Sequence, residues 1–214
     1  MNAQTLHEIW SLSNVQAEVS IDLPKHPPKG LAVIAHPHPL FGGTQDNKVV
    51  QTIARAMLVL GYTTVRFNFR GVGQSSGQHD HGLGEIHDLT EIVQHAYQNK
   101  IANELKHQPI ALAGFSFGAY VISHSARLLE EKGLPIGKLA LVGTATSRFQ
   151  VAQVPQNSLI IHGEQDDTVP LQSVLDWARP QNLPVVVLPG VEHFFHGQLP
   201  LLKNIIVSYY PNSI

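Results

Sequence analysis

Along the chain, short runs of unbroken apolar residues alternate with longer stretches whose apolar positions recur every three or four residues. Leu31–Ala35 is one such run and ends in His36-Pro37-His38-Pro39, the pattern of a buried strand followed by a loop. From Asp46 the spacing changes. Val49, Val50, Ile53, Ala54, Met57 and Leu60 fall at helical intervals, and Gly61 stops the helix. Tyr62–Phe69 reads as the next strand, ending at Arg70-Gly71-Val72-Gly73-Gln74-Ser75. A helix is expected over Glu85–Asn99, with Ile86, Leu89, Ile92, Val93 and Ala96 on one face. Pro109–Ala113 is then a strand, and Phe117–Lys132 a helix closed by Gly133. Lys138–Val142, Ser158–His162 and Val185–Leu188 are further strands, with a helix over Leu171–Ala178. A last helix includes Leu201, Leu202, Ile205, Ile206 and Tyr209.

This alternation predicts an α/β fold: a mostly parallel sheet of about 7–8 strands with helices on both faces. The first 22 residues, notably Val15–Leu23, show partial alternation and predict one or two antiparallel edge strands. A chain of 214 residues builds one well-buried core, so residues 1–214 are expected to form a single domain. A hydrophobic content of 43%, a charged content of 14% and a net charge of −2 carry no basic excess, which argues against nucleic acid as a partner. Cysteine is absent, which excludes disulfides, thiolate metal sites and cysteine nucleophiles. No basic and then apolar leader is visible, and no apolar run approaches the roughly 18 residues of a membrane helix. A cytoplasmic protein without membrane insertion is the expectation.

The candidate chemistry centres on Gly114-Phe115-Ser116-Phe117-Gly118, between a predicted strand and a predicted helix. The chain must reverse sharply there, and a side chain two positions to either side of the serine would meet the neighbouring strand or helix. Glycine at both places removes that collision, and the helix start offers free amides to a developing oxyanion. A serine hydroxyl needs a base, and the base an orienting acid. Downstream, His162-Gly163-Glu164-Gln165-Asp166-Asp167-Thr168-Val169-Pro170 follows one strand, and Gly190-Val191-Glu192-His193-Phe194-Phe195-His196 follows the next. Both leave the carboxyl ends of strands, where open α/β sheets gather their sites.

The segment from Gly163 to Pro170 resembles the G-x-x-D-x-x-V-P acid loop of α/β hydrolases, and Gly190–Phe194 resembles their histidine loop. The resemblance implies Ser116 as nucleophile, Asp166 rather than Asp167 as acid, and His193 rather than His196 as base. It spans essentially the whole chain. It looks closest to small lidless hydrolases with a His-Pro-His-Pro loop before a Gly-Gly pair, here His36–Gly43. Larger relatives often insert a helical cap where this chain has only Thr144–Asn157, so no substantial cap is expected.

One oxyanion amide is expected from Phe117, the residue after the nucleophile. The other should come from the loop after Ala35. Pro37 and Pro39 have no N–H, which leaves His38 or Leu40, and the usual H-G-x pattern favours His38. The pairs His36/His38 and His79/His81, with Asp80, invite a metal reading, but no further ligand has diagnostic spacing. His36 is read instead as stabilising loops. Arg70–Ser75 resembles the R-G-x-G-x-S turn of such hydrolases, and Glu85 and Asp88 are read as exposed or N-terminal helix residues. Phe194 and Phe195 are open between an acyl pocket, the core and a partner subunit.

The expected function is hydrolysis of a small carboxylic ester or related acyl substrate through an acyl-enzyme, with no metal or organic cofactor. A thioesterase or small-peptide hydrolase with the same residues, and a non-catalytic ligand-binding protein on the same fold, are the alternatives.

Overall fold

The computed structural model describes residues 5–100 and 107–210. Eight strands form one sheet in the order β1-β2-β4-β3-β5-β6-β7-β8. In chain order these are β1 Leu6–Ser11, β2 Gln16–Asp22, β3 Gly30–Ala35, β4 Tyr62–Phe67, β5 Ile110–Phe115, β6 Ile136–Val142, β7 Leu159–Gly163 and β8 Val185–Leu188. β1 and β2 pair antiparallel, and β2 joins the sheet antiparallel to β4. From β4 through β8 every pairing is parallel. The helices are α1 Lys48–Val59, α2 Leu83–Asn99, α3 Phe117–Glu131, α4 Leu171–Ala178 and α5 Leu199–Tyr209.

The central strands are apolar throughout because both of their faces are covered. All six residues of β3 and all six of β5 are buried. Strand alternation then divides their side chains between two cores. Ile110 and Leu112 join Leu89, Val93, Val121 and Ile122 beneath α2 and α3. Ala111, Ala113 and Phe115 join Val50, Ile53, Met57, Leu202 and Ile206 beneath α1 and α5. α1 begins where the Asn47 side chain accepts the Val49 N–H at 2.9 Å, a helix N-cap, and Gly61 takes φ +91° just past its end.

The topology determines where a site can form. After β3 the chain steps outward to β4, and then crosses back to lay β5 on the other side of β3. The loops leaving β3 and β5 therefore diverge to opposite faces and open a crevice at the carboxyl ends of the strands. The connection from β6 to β7, residues 143–158, contains turns and no helix.

Candidate active site

Ser116 stands in that crevice, between β5 and α3. Its backbone is at φ +56°, ψ −115°, a conformation that costs a non-glycine residue on the order of 1–3 kcal/mol. The surroundings hold it there. Its N–H donates to Val142 O at 2.8 Å, and its C=O accepts from Ala119 N at 3.0 Å. A Cβ at Gly114 would lie 2.4 Å from the Gly118 carbonyl carbon, and one at Gly118 would lie 2.4 Å from Ala35 O. Both glycines are thus required for the elbow to sit against β3 and α3. Phe117 is the first residue of α3, where an N–H has no intrahelical acceptor.

His193 reaches Ser116 from the loop after β8. Its Nε2 is 3.1 Å from Ser116 Oγ, and its Nδ1 is 2.6 Å from Asp166 Oδ2. An ionised carboxylate only accepts, so Nδ1 carries the proton and Nε2 is free to accept from the serine hydroxyl. Asp166 lies in the loop after β7, where its Oδ1 accepts from Thr168 N at 3.0 Å and Val169 N at 2.7 Å. The two loops dock closely: Gln165 N donates to Val191 O, and a Cβ on Gly163 would come within 2.3 Å of Val191 O. Ser116, Asp166 and His193 are 7%, 5% and 2% exposed, so the chain of hydrogen bonds is largely shielded from water.

The structure separates these residues from their neighbours in sequence. Asp167 is exposed in the loop, and His196 is exposed and bonded through its N–H to Glu192. Phe195, at φ +56°, is buried in the α1/α5 core, whereas Phe194 is 41% exposed and packs edge-on against His193.

The loop after β3 brings His38 beside the elbow, its ring 4.9 Å from that of Phe117. His38 Nδ1 accepts the Leu40 N–H at 3.2 Å, so that amide is engaged within its own turn. His36 is fully buried. Its Nδ1–H donates to Pro37 O at 2.6 Å and its Nε2 accepts from Phe69 N at 3.0 Å, tying the exits of β3 and β4 together. His79 Nδ1 is 2.7 Å from Glu85 Oε1. Among the described residues, no group of three or more histidines and carboxylates is arranged to hold a metal.

Glu85 and Asp88 lie at the start of α2, as one of the two expectations had it, and both are buried. Glu85 accepts from Gly82 N at 2.8 Å and Asp80 N at 3.0 Å, so its carboxylate reaches back to the amide that opens the helix. Asp88 binds Arg70 through two 2.7 Å hydrogen bonds. His162, at the end of β7, went unassigned. It is fully buried, its Nε2–H donates to Val169 O at 2.9 Å, and it lies 3.5 Å from Asp166 Oδ2. Burial lowers its pKa, so it packs behind the Asp166 loop as a neutral ring. A histidine closing the apolar run Leu159-Ile160-Ile161 was the available signal.

A family model for the α/β hydrolase fold matches residues 40–157, just over half of the chain. The chain belongs to this family. An α/β serine hydrolase without lid from Xanthomonas campestris is 33% identical, with a TM-score of 0.87 over 99% of this chain and 95% of that one. An α/β serine hydrolase homologue from Coxiella burnetii is 37% identical, with a TM-score of 0.80 over 98% of each chain. An uncharacterised protein of Rickettsia prowazekii is 30% identical over 192 residues, which is 84% of this chain and 77% of that protein. The fold and these neighbours support a hydrolase.

Proposed function

We propose that this α/β hydrolase cleaves a small carboxylic ester through an acyl-enzyme formed on Ser116. The observation that carries this reading is the relay from Ser116 Oγ through both ring nitrogens of His193 to Asp166, set on a strained turn in the crevice between β3 and β5. His193 Nε2 takes the hydroxyl proton as Ser116 Oγ attacks the carbonyl carbon, and Asp166 stabilises the imidazolium that forms. The negative charge that develops on the carbonyl oxygen meets the N–H groups of Phe117 and His38. His38 is favoured over Leu40 because the Leu40 N–H is already held by the His38 ring. His193 then protonates the departing alcohol. Water repeats the sequence at the acyl carbon and releases the acid.

The substrate reading rests on the mouth of the site. The turns of residues 143–158 favour a single lidless domain, with substrate entering directly from solvent. Leu40, Phe41, Leu83 and Phe194 are exposed apolar side chains in the loops beside His38 and His193 and at the start of α2. Such a rim suits a small acyl group with an apolar body. Thioesters and short peptides would follow the same acyl chemistry, and a substrate panel separates them. A non-catalytic ligand-binding role is disfavoured because binding gives no reason to maintain the Ser116 strain and a shielded base.

Labelling by a fluorophosphonate probe, read by mass spectrometry, tests the reading. Wild type is expected to take up one phosphonyl group, and Ser116→Ala none. Equal labelling of the variant, or an unreactive but folded wild type, would overturn it.

A further inference from the structure

A cavity of about 620 Å³ lies near the amino-terminal ends of β3 and β4, away from the crevice that holds Ser116. It is bounded by α1, by the segment between β2 and β3, and by Lys203 of α5, and shares no lining residue with the Ser116 site. Its charge is unusual for a chain of net charge −2. Lys25, Lys29, Arg55, Arg66 and Lys203 line it, five of the fourteen basic side chains, against one carboxylate, Asp22. Asp22 is engaged, because Arg66 Nη2 lies 3.3 Å from its Oδ2 in a pair that is almost wholly buried. Lys25, Lys29, Arg55 and Lys203 form no ion pair among the described residues. Arg66 is compensated by Asp22 and by Asp46, 3.3 Å from its Nη1, so the positive field of the cavity comes from the other four cations, beside apolar side chains that strengthen attraction for an anion.

Two of these cations are held in place. Lys29 N–H donates to Gly61 O at 2.8 Å, and the Lys29 stem lies over Gly61, where an added Cβ would approach its Cδ to 3.2 Å. Arg55 donates to Gln51 Oε1 at 3.0 Å, one helical turn earlier. Apolar side chains of the helix that carries Arg55 line it as well: Ala54, Leu58 and Val59 of α1, of which Val59 is 64% exposed. A volume of this size falls in the range of small-molecule pockets, roughly 300–1,000 Å³.

We propose that this cavity binds a small amphiphilic organic anion, with its carboxylate or phosphate held by Lys29, Arg55 and Lys203. Its apolar body lies on Ala54, Leu58 and Val59. Guanidinium and ammonium groups both pair with these heads, and the apolar side chains add contact for a ligand that carries an organic body.

The test is amide-resolved NMR titration of the full chain with octanoate, octyl phosphate and, as a neutral probe, octyl glucoside. Saturable shifts at Lys29, Val59 and Gly61 are expected for an anionic probe. The tighter of octanoate and octyl phosphate identifies the head group. Arg55→Ala with Lys203→Ala should weaken binding at least about tenfold without changing Tm. If that pair unfolds the protein, Lys29→Gln with Lys203→Gln gives the same readout. The proposal is overturned if neither anion produces saturable shifts there by about 10 mM, if octyl glucoside binds equally, or if the double variant binds like wild type.

Discussion

His36 has no solvent exposure and both ring nitrogens engaged, one donating to Pro37 O and the other accepting from Phe69 N–H. A second ring proton would sit on Nε2 and face that N–H. Burial pushes the pKa down from 6.5 to about 3. An unfolded chain has no such constraint, so below about pH 6.5 its histidine takes up a proton that the folded protein refuses. The contribution of His36 is therefore complete above about pH 6.5 and is lost as pH falls toward 3. One proton of difference gives a slope of about 1.4 kcal/mol per pH unit within that window. Buried His162 shifts in the same direction and adds to it. Urea unfolding at pH 7 and at stepped values below 6 should show this decline, and His36→Asn should flatten it. An unchanged slope in the variant would show that other groups dominate acid sensitivity.

At the scale of elements, the turn after β4 is fastened to α2 by Arg70 and Asp88. Nε and Nη2 of Arg70 each donate to Asp88 at 2.7 Å, and the absence of a side chain on Gly84 leaves room for the guanidinium. Burial raises the Asp88 carboxyl pKa even though Arg70 opposes the shift. The pair therefore adds little over an apolar pair of the same shape, yet removing one partner strands the other in a desolvated place. Asp88→Ala should cost about 2–4 kcal/mol in chemical denaturation, and Asp88→Asn, which keeps an acceptor, should cost less. Equal stability of wild type and Asp88→Ala would mean that Arg70 finds another partner. This contact was not legible in the sequence, because it joins residues from different elements and no periodicity links them. The elements themselves were legible wherever both faces of a strand are covered. Leu171–Ala178 and Val185–Leu188 coincide with α4 and β8. The strand expected over Tyr62–Phe69 stops its ladder at Phe67, since Asn68 and Phe69 stay buried after leaving the sheet. β6 begins at Ile136, two residues before the expected start, where half-buried positions flank Gly137 and blur the apolar run. The convergence of Ser116, Asp166 and His193 was legible for another reason: a loop motif carries its backbone constraint, here Gly114, Gly118 and Gly163, along with its side chain. The opposite fates of Phe194 and Phe195 were not, because a loop lacks a fixed period.

Across the whole molecule, the proposed machinery is drawn from four connections, those after β3, β5, β7 and β8, spanning His38 to His193. None of these loops stands apart from the sheet. The turn at Ser116 is bonded to Val142 of β6, the acid loop is bonded to the β8 loop at Val191, and His36 ties the β3 exit to Phe69. His193 is 2% exposed, and its ring packs 4.9 Å from that of Phe115, itself part of the α1/α5 core. Opening the site therefore means breaking sheet-anchored hydrogen bonds and exposing core aromatic surface. Local opening at so low a cost that it precedes global unfolding is expected where loops have few such ties. Hydrolase activity, far-ultraviolet circular dichroism and intrinsic fluorescence should accordingly fall together along a urea gradient, with one midpoint and one slope. Loss of activity at clearly lower urea, with the circular dichroism signal intact, would show that the histidine and acid loops form a separate, weaker unit. The same experiment on Gly163→Ala supplies an internal contrast. A methyl there presses on Val191 O, so its activity curve should separate from its unfolding curve if the docking of those two loops is what joins site to fold.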